Sequence, residues 1–190
     1  VRPFKSNDRS LMRYKSGYQT EKINTHYDWS NWGQFSDAIE MCNNNGACRK
    51  LDSGVMCPSY RVTKEEKDLV RGRANTLRLA LSNQLPEGSF VSKEMYETME
   101  LCVSCKACQR ECPMSVDMAK MKSEFLSHYY KKFSMRIKDR IISNMPKLIW
   151  LYRIVNPIIN KIKNYPLITD IIRKFGFATE RSLPEVQNQK

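Results

Sequence analysis

Cys102-x2-Cys105-x2-Cys108-x3-Cys112-Pro113 constrains this chain more than any other feature of its sequence. Two-residue gaps coil a loop tightly enough to aim three thiolates at three corners of one iron–sulfur cubane. The fourth cysteine leaves on the far side of the turn and ligates another cluster when two are present. The proline after it has no N–H to donate and stops the coil from continuing. Zinc usually takes four ligands in two separated pairs and does not need a third thiol two residues further on. The spacing therefore points to iron and sulfide.

A second loop follows the same plan with changes: Cys42-x5-Cys48, then Cys57-Pro58 after an eight-residue gap. Where the run at 102–113 has its middle cysteine, this loop has Asn45. Applying the crossing rule assigns Cys57, Cys102, Cys105 and Cys108 to a first, [4Fe–4S] cluster. Cys42, Cys48 and Cys112 are left for a second, so that all seven cysteines are used. Three thiolates suit [3Fe–4S], or [4Fe–4S] with a non-cysteine ligand. An amide oxygen is a poor ligand for iron beside thiolate, and Asn45 in a run of Asn and Gly reads first as a turn residue. A single cluster on Cys102, Cys105, Cys108 and Cys112 is the competing partition. Arg49, Lys50, Lys106 and Arg110 lie close enough in sequence to raise the reduction potential, or are ordinary surface charge. His26 and His128 are isolated and read as surface or packing residues, and no residue stands out as an acid–base catalyst.

The 190 residues allow one compact domain with an extension. Residues 1–120 hold 18 basic and 15 acidic side chains, and residues 121–190 hold 14 and 5, so the net charge of +12 belongs mainly to the C-terminal third. A basic tail of this kind is a solvated or docking face, or a peripheral contact with an anionic membrane. It lacks the motifs of a nucleic-acid binder. The most apolar stretch, 148–159, is broken by Arg153 and Pro157 and falls short of the roughly 20 residues that span a bilayer. The chain begins Val1-Arg2-Pro3 with no signal-peptide pattern and reads as a piece of something longer. Cluster thiolates call for a reducing compartment, hence the cytoplasm or the inner face of its membrane.

Helical signals dominate and strand signals are few, so the expected class is all-α with two cysteine loops at helix ends. A connector over 1–35 precedes an iron–sulfur domain over 36–133 and a basic helical extension over 134–190. Ser36 or Asp37 is expected to cap a short helix. Thr63 and Glu66 form a capping box for a helix running to Asn83, with Leu69, Leu77, Ala80 and Leu81 inward and a costly Gly72 in its interior. Ser92, Asp117 and Ser134 are expected to cap later helices. Met118, Met121, Phe125 and Tyr129 share one face, Pro146, Pro157 and Pro166 divide the remainder, and Gly176 is a C-cap.

These cysteine loops resemble the α-helical ferredoxin fold, whose members include the iron–sulfur subunits of succinate dehydrogenase and fumarate reductase. There a C-x5-C loop without its middle cysteine holds [3Fe–4S]. Here the loop order is reversed and the gap before Cys57 is longer. The stretches Ser10–Tyr14, His26–Trp29, Cys42–Tyr60, Arg71–Asn75 and Cys102–Lys122 also resemble fused FAD-linked oxidases of the D-lactate, glycolate and D-2-hydroxyglutarate dehydrogenase type. That resemblance implies an electron relay fed by an FAD-binding dehydrogenase domain in the same or another chain, with FAD held only there. A reading from another class is a zinc-stapled helical interaction module with a basic docking tail.

Overall fold

The computed structural model describes residues 17–162 and 165–174. Among these all regular structure is helical, as the sequence predicts, with no strand. The chain divides into two compact units, Val1–Phe133 and Ser134–Lys190. The first contains α1 (Phe35–Glu40), α2 (Pro58–Thr63), α3 (Val70–Leu81), α4 (Lys93–Glu100), α5 (Ala107–Glu111) and α6 (Met118–Lys132). The second contains α7 (Ile137–Asn144), α8 (Ile149–Ile162) and α9 (Pro166–Lys174).

The core of the first unit lies where α1, α3, α4 and α6 meet. Leu69, Leu77, Ala80 and Leu81 are buried there, with Met95 and Met99 from α4 and Met118, Met121 and Phe125 from α6. Their spacing is that of one helical face. Trp29 and Phe35 are buried in the same core, their rings edge to face at 4.9 Å. Ser92 caps α4 by accepting the Met95 N–H at 3.1 Å, and Asp117 caps α6 by accepting that of Lys120 at 3.0 Å.

Other expected boundaries differ. α1 begins at Phe35, with Ser36 and Asp37 inside its first turn; Ser36 is buried and its hydroxyl accepts from that of Thr20. Thr63 ends α2 rather than starting a helix, because Lys64 turns left-handed at φ 60°. The Thr63 hydroxyl donates instead to the Asp68 carboxylate at 2.7 Å. Glu66–Asp68 forms a 3-10 turn, and α3 starts at Val70 without a side-chain cap. Gly72 is there because that turn presses on the helix: a Cβ would drive into the backbone carbonyl of Glu66. A clash of this kind outweighs the roughly 1 kcal/mol that glycine costs a helix.

In the second unit α7 starts at Ile137, with Arg136 rather than Ser134 at its N-cap. Pro157 sits inside α8 instead of ending it. The ladder loses the one bond Pro157 cannot donate, and one residue before it the Asn156 side chain accepts from the Asn160 amide at 3.3 Å. Ile149, Trp150, Ile154 and Ile158 of α8 are exposed. Among the described residues no helix is long and apolar enough to cross a membrane. Ser10–Tyr14 and Gly176 lie outside the described residues.

Candidate metal centre

The loop after α4 is coiled by its own backbone. Ser104 (φ 53°) and Lys106 (φ 59°), the residues on either side of Cys105, are both left-handed. Such kinks cost a non-glycine residue about 1 kcal/mol or more. They reverse the chain twice within five residues, so that successive thiols turn to one side. Cys108 lies in the first turn of α5 and Cys112 is its C-cap. The Lys122 ammonium donates to the carbonyls of Glu100 and Cys102, covering the end of α4.

Cys57 arrives from the other loop. It is left-handed (φ 52°) and precedes Pro58, which opens α2. It joins Cys102, Cys105 and Cys108 in lining one pocket, together with Val70, Arg73, Met118 and Ala119. Cys112 does not line that pocket. Cys42 follows α1, and Cys48 sits in a 3-10 turn over Ala47–Arg49. These two thiols are close enough to interact electrostatically with each other and with Arg71.

The loop carrying Cys42, Cys48 and Cys57 is held by side chains from elsewhere. Arg61 donates to the carbonyls of Leu51, Ser53 and Gly54. Glu111 of α5 accepts the N–H groups of Val55 at 2.9 Å and Met56 at 3.1 Å. Asn75 of α3 donates to the Asn44 side chain at 2.7 Å. Asn45 is engaged in the turn itself: its side-chain oxygen accepts the Ala47 N–H at 2.8 Å and its NH2 donates to Asn43 at 2.6 Å.

The donor set suits iron and sulfide. Burial pushes the Cys57 thiol up to about 12, and raises those of Cys48 and Cys108 above their ordinary range. Buried thiols of this kind ionise when metal charge compensates them. Helix N-termini point at the same sulfurs. The Val70 N–H, first in α3, donates to Cys57 Sγ at 3.3 Å, the next N–H, of Arg71, serves Cys48, and that of Met118, first in α6, serves Cys108. The unpaired N–H groups and positive dipole of a helix start favour negative charge on sulfur. This also explains why α3 has no side-chain cap, since cysteine sulfur takes that role.

Arg73 is the charged group sequence reasoning missed. It is fully buried and lines the four-cysteine pocket. Its guanidinium donates to the Thr98 carbonyl at 2.9 Å, the Asp68 carbonyl at 2.7 Å and the Ser59 hydroxyl at 3.2 Å, and pairs with the buried Asp68 carboxylate. It thereby ties the residues after Cys57 to the helix that leads into Cys102. The arginines flanking Gly72 were its only signal in the sequence. Of the cations expected to matter, Arg49 pairs with Glu66 at the surface, Lys106 is the left-handed N-cap of α5, and Lys50 and Arg110 are exposed.

Residues 38–116 match the family described as a 4Fe-4S dicluster domain. The chain is 26% identical over 194 residues to the D-2-hydroxyglutarate dehydrogenase of Escherichia coli (strain K12), covering 82% of this chain and 19% of that protein. It is 29% identical over 147 residues to the D-2-hydroxyglutarate dehydrogenase of Pseudomonas putida, covering 60% and 14%. Its identity to the glycolate oxidase iron-sulfur subunit of Escherichia coli is 30% over 78 residues, covering 41% and 17%. The chain thus spans less than a fifth of the length of these relatives. No solved structure matches it. The resemblance to the D-2-hydroxyglutarate and glycolate group, carried by the cysteine loops and the stretches around them, is borne out by these matches.

Proposed function

We propose that this chain, whose residues 38–116 carry the pattern of a 4Fe-4S dicluster domain, is the electron relay of a flavin-dependent 2-hydroxyacid dehydrogenase. In this reading Cys57, Cys102, Cys105 and Cys108 hold a [4Fe–4S] cluster. Cys42, Cys48 and Cys112 hold a second, [3Fe–4S] or [4Fe–4S]. The observation that carries the reading is the pocket that Cys57 shares with Cys102, Cys105 and Cys108 across 45 to 51 residues of chain. Its left-handed loop and the helix N–H groups aimed at sulfur support it further.

The clusters supply one-electron chemistry when bound, and the protein supplies ligands, burial and oriented N–H groups. Electrons come from a reduced FAD on a dehydrogenase domain, in the same chain or another, and go to a separate acceptor. The relatives' names support a hydroxyacid of the D-2-hydroxyglutarate or glycolate class. We place the protein in the cytoplasm, where thiols stay reduced, with the basic 121–190 segment available for a peripheral contact at the inner face of the membrane.

Iron and sulfide counting on anaerobically prepared protein, with EPR of the oxidised and reduced forms, tests this. Two clusters with distinct signals are expected. Iron for a single [4Fe–4S] cluster overturns the two-cluster assignment. Colourless protein with stoichiometric zinc overturns the electron-relay reading and favours a zinc-stapled interaction module.

A further inference from the structure

The two histidines that look isolated in sequence meet on one buried carboxylate. Glu124 and His128 lie one turn apart on α6, and His26 comes from the segment before α1. Glu124 is completely buried. His26 Nδ1 lies 3.3 Å and His128 Nε2 3.1 Å from its Oε1. The three donor atoms all fall within 4.8 Å of one another. We propose that His26, Glu124 and His128 form a binding site for a zinc-class divalent ion, separate from the cysteine loops.

Three features carry this. The first is spacing. Zinc bonds to nitrogen and oxygen of roughly 2.0–2.1 Å, in a tetrahedron, place neighbouring ligand atoms about 3.3–3.4 Å apart. The two edges to Oε1, 3.3 and 3.1 Å, are close to that length. The second is crowding. Oε1 faces three nitrogens at once, the two ring nitrogens and the His26 backbone N–H at 2.9 Å. A carboxylate oxygen offers two lone pairs, so the rings compete with the backbone N–H for it whenever both carry their proton on the facing nitrogen. A cation bound to both rings and Oε1 removes that competition. The third is support. Oε2 is fixed by the Tyr27 N–H at 3.0 Å and the Trp29 indole N–H at 2.9 Å, the outer hydrogen bonding that orients a ligating carboxylate.

The chemistry selects the ion. Two imidazoles and one carboxylate, without a thiolate, suit zinc better than the hard ions magnesium and calcium. His26 is solvent-exposed and leaves the fourth position to water. Ser127 Oγ lies 2.9 Å from His26 Nδ1 and gives up that contact when the ring turns to metal. The bound ion clips residues 26–29 to α6 and stabilises the first unit by mass action. None of this depends on the clusters.

The test uses the full chain with its clusters in place, handled anaerobically, given one equivalent of zinc and desalted. We expect one zinc per chain, unchanged iron, and a zinc X-ray absorption spectrum with only nitrogen and oxygen neighbours at about 2.0–2.1 Å. His26→Gln and His128→Gln, at positions that are not fully buried, should each weaken zinc binding at least about tenfold. The rise in thermal midpoint on adding zinc should disappear with them. No retained zinc, sulfur neighbours at about 2.3 Å, or undiminished zinc in the double variant would each overturn the site and leave a hydrogen-bonded clasp. The absorption spectrum of the unmodified protein decides even where a variant folds poorly.

Discussion

The two cysteine loops reach similar ends with different shares of help from outside. The loop at 102–112 is built largely from within: short gaps, two left-handed residues and a five-residue helix bring Cys102, Cys105 and Cys108 to one pocket. The loop at 42–57 has longer gaps and borrows its shape from Arg61, Glu111, Asn75 and the N-terminus of α3. Tight spacing and external bracing are thus interchangeable ways of placing sulfur. The braced loop, however, is vulnerable at positions far from any cysteine.

Cys57→Ser should break the comparison most severely. Although it lies in the braced loop, it is expected to remove the iron of the cluster assigned to Cys102, Cys105 and Cys108, and to leave the other cluster's EPR signal. Loss of the other signal instead would reverse the partition.

Arg73→Met comes next. It leaves the buried Asp68 carboxylate without its partner, for which about 3–5 kcal/mol is the ordinary cost. Chemical denaturation should show it, and Arg73→Lys should recover part of the loss because it restores charge without the planar fork.

Gly72→Ala sets two effects against each other. Helix propensity favours alanine by roughly 1 kcal/mol, whereas overpacking costs about 1–3 kcal/mol. The contact with the Glu66 carbonyl is to rigid backbone, so net destabilisation is expected in the same denaturation experiment.

Asn45→Ala should touch the clusters least. It loses two local turn bonds, about 0.5–1.5 kcal/mol each, and should leave iron content and EPR unchanged. Loss of the second cluster would make Asn45 its missing ligand.

Much of the first unit was legible because its signals are local. Ser92 and Asp117 cap helices within three residues of themselves, and the faces of α3, α4 and α6 repeat at helical spacing. The misreadings share a cause. Thr63 and Glu66 have the form of a capping box, but the N–H groups at the start of α3 are taken by cysteine sulfur brought from 13 residues and more upstream. Pro157 looks like a helix stop, but one missing ladder bond does not outweigh the turns on either side.

Sequence alone determined the class of ligand, through cysteine spacing, and the helical class, through caps and apolar periodicity, because metal geometry and backbone periodicity act over a few residues. Tertiary structure alone decided why Arg73 is buried and that His26 and His128 share Glu124. Beside the local Glu124–His128 and Arg73–Asp68 contacts, these sets include partners separated by 14 to 98 positions, and at such distances only the packing of the core decides which side chains meet.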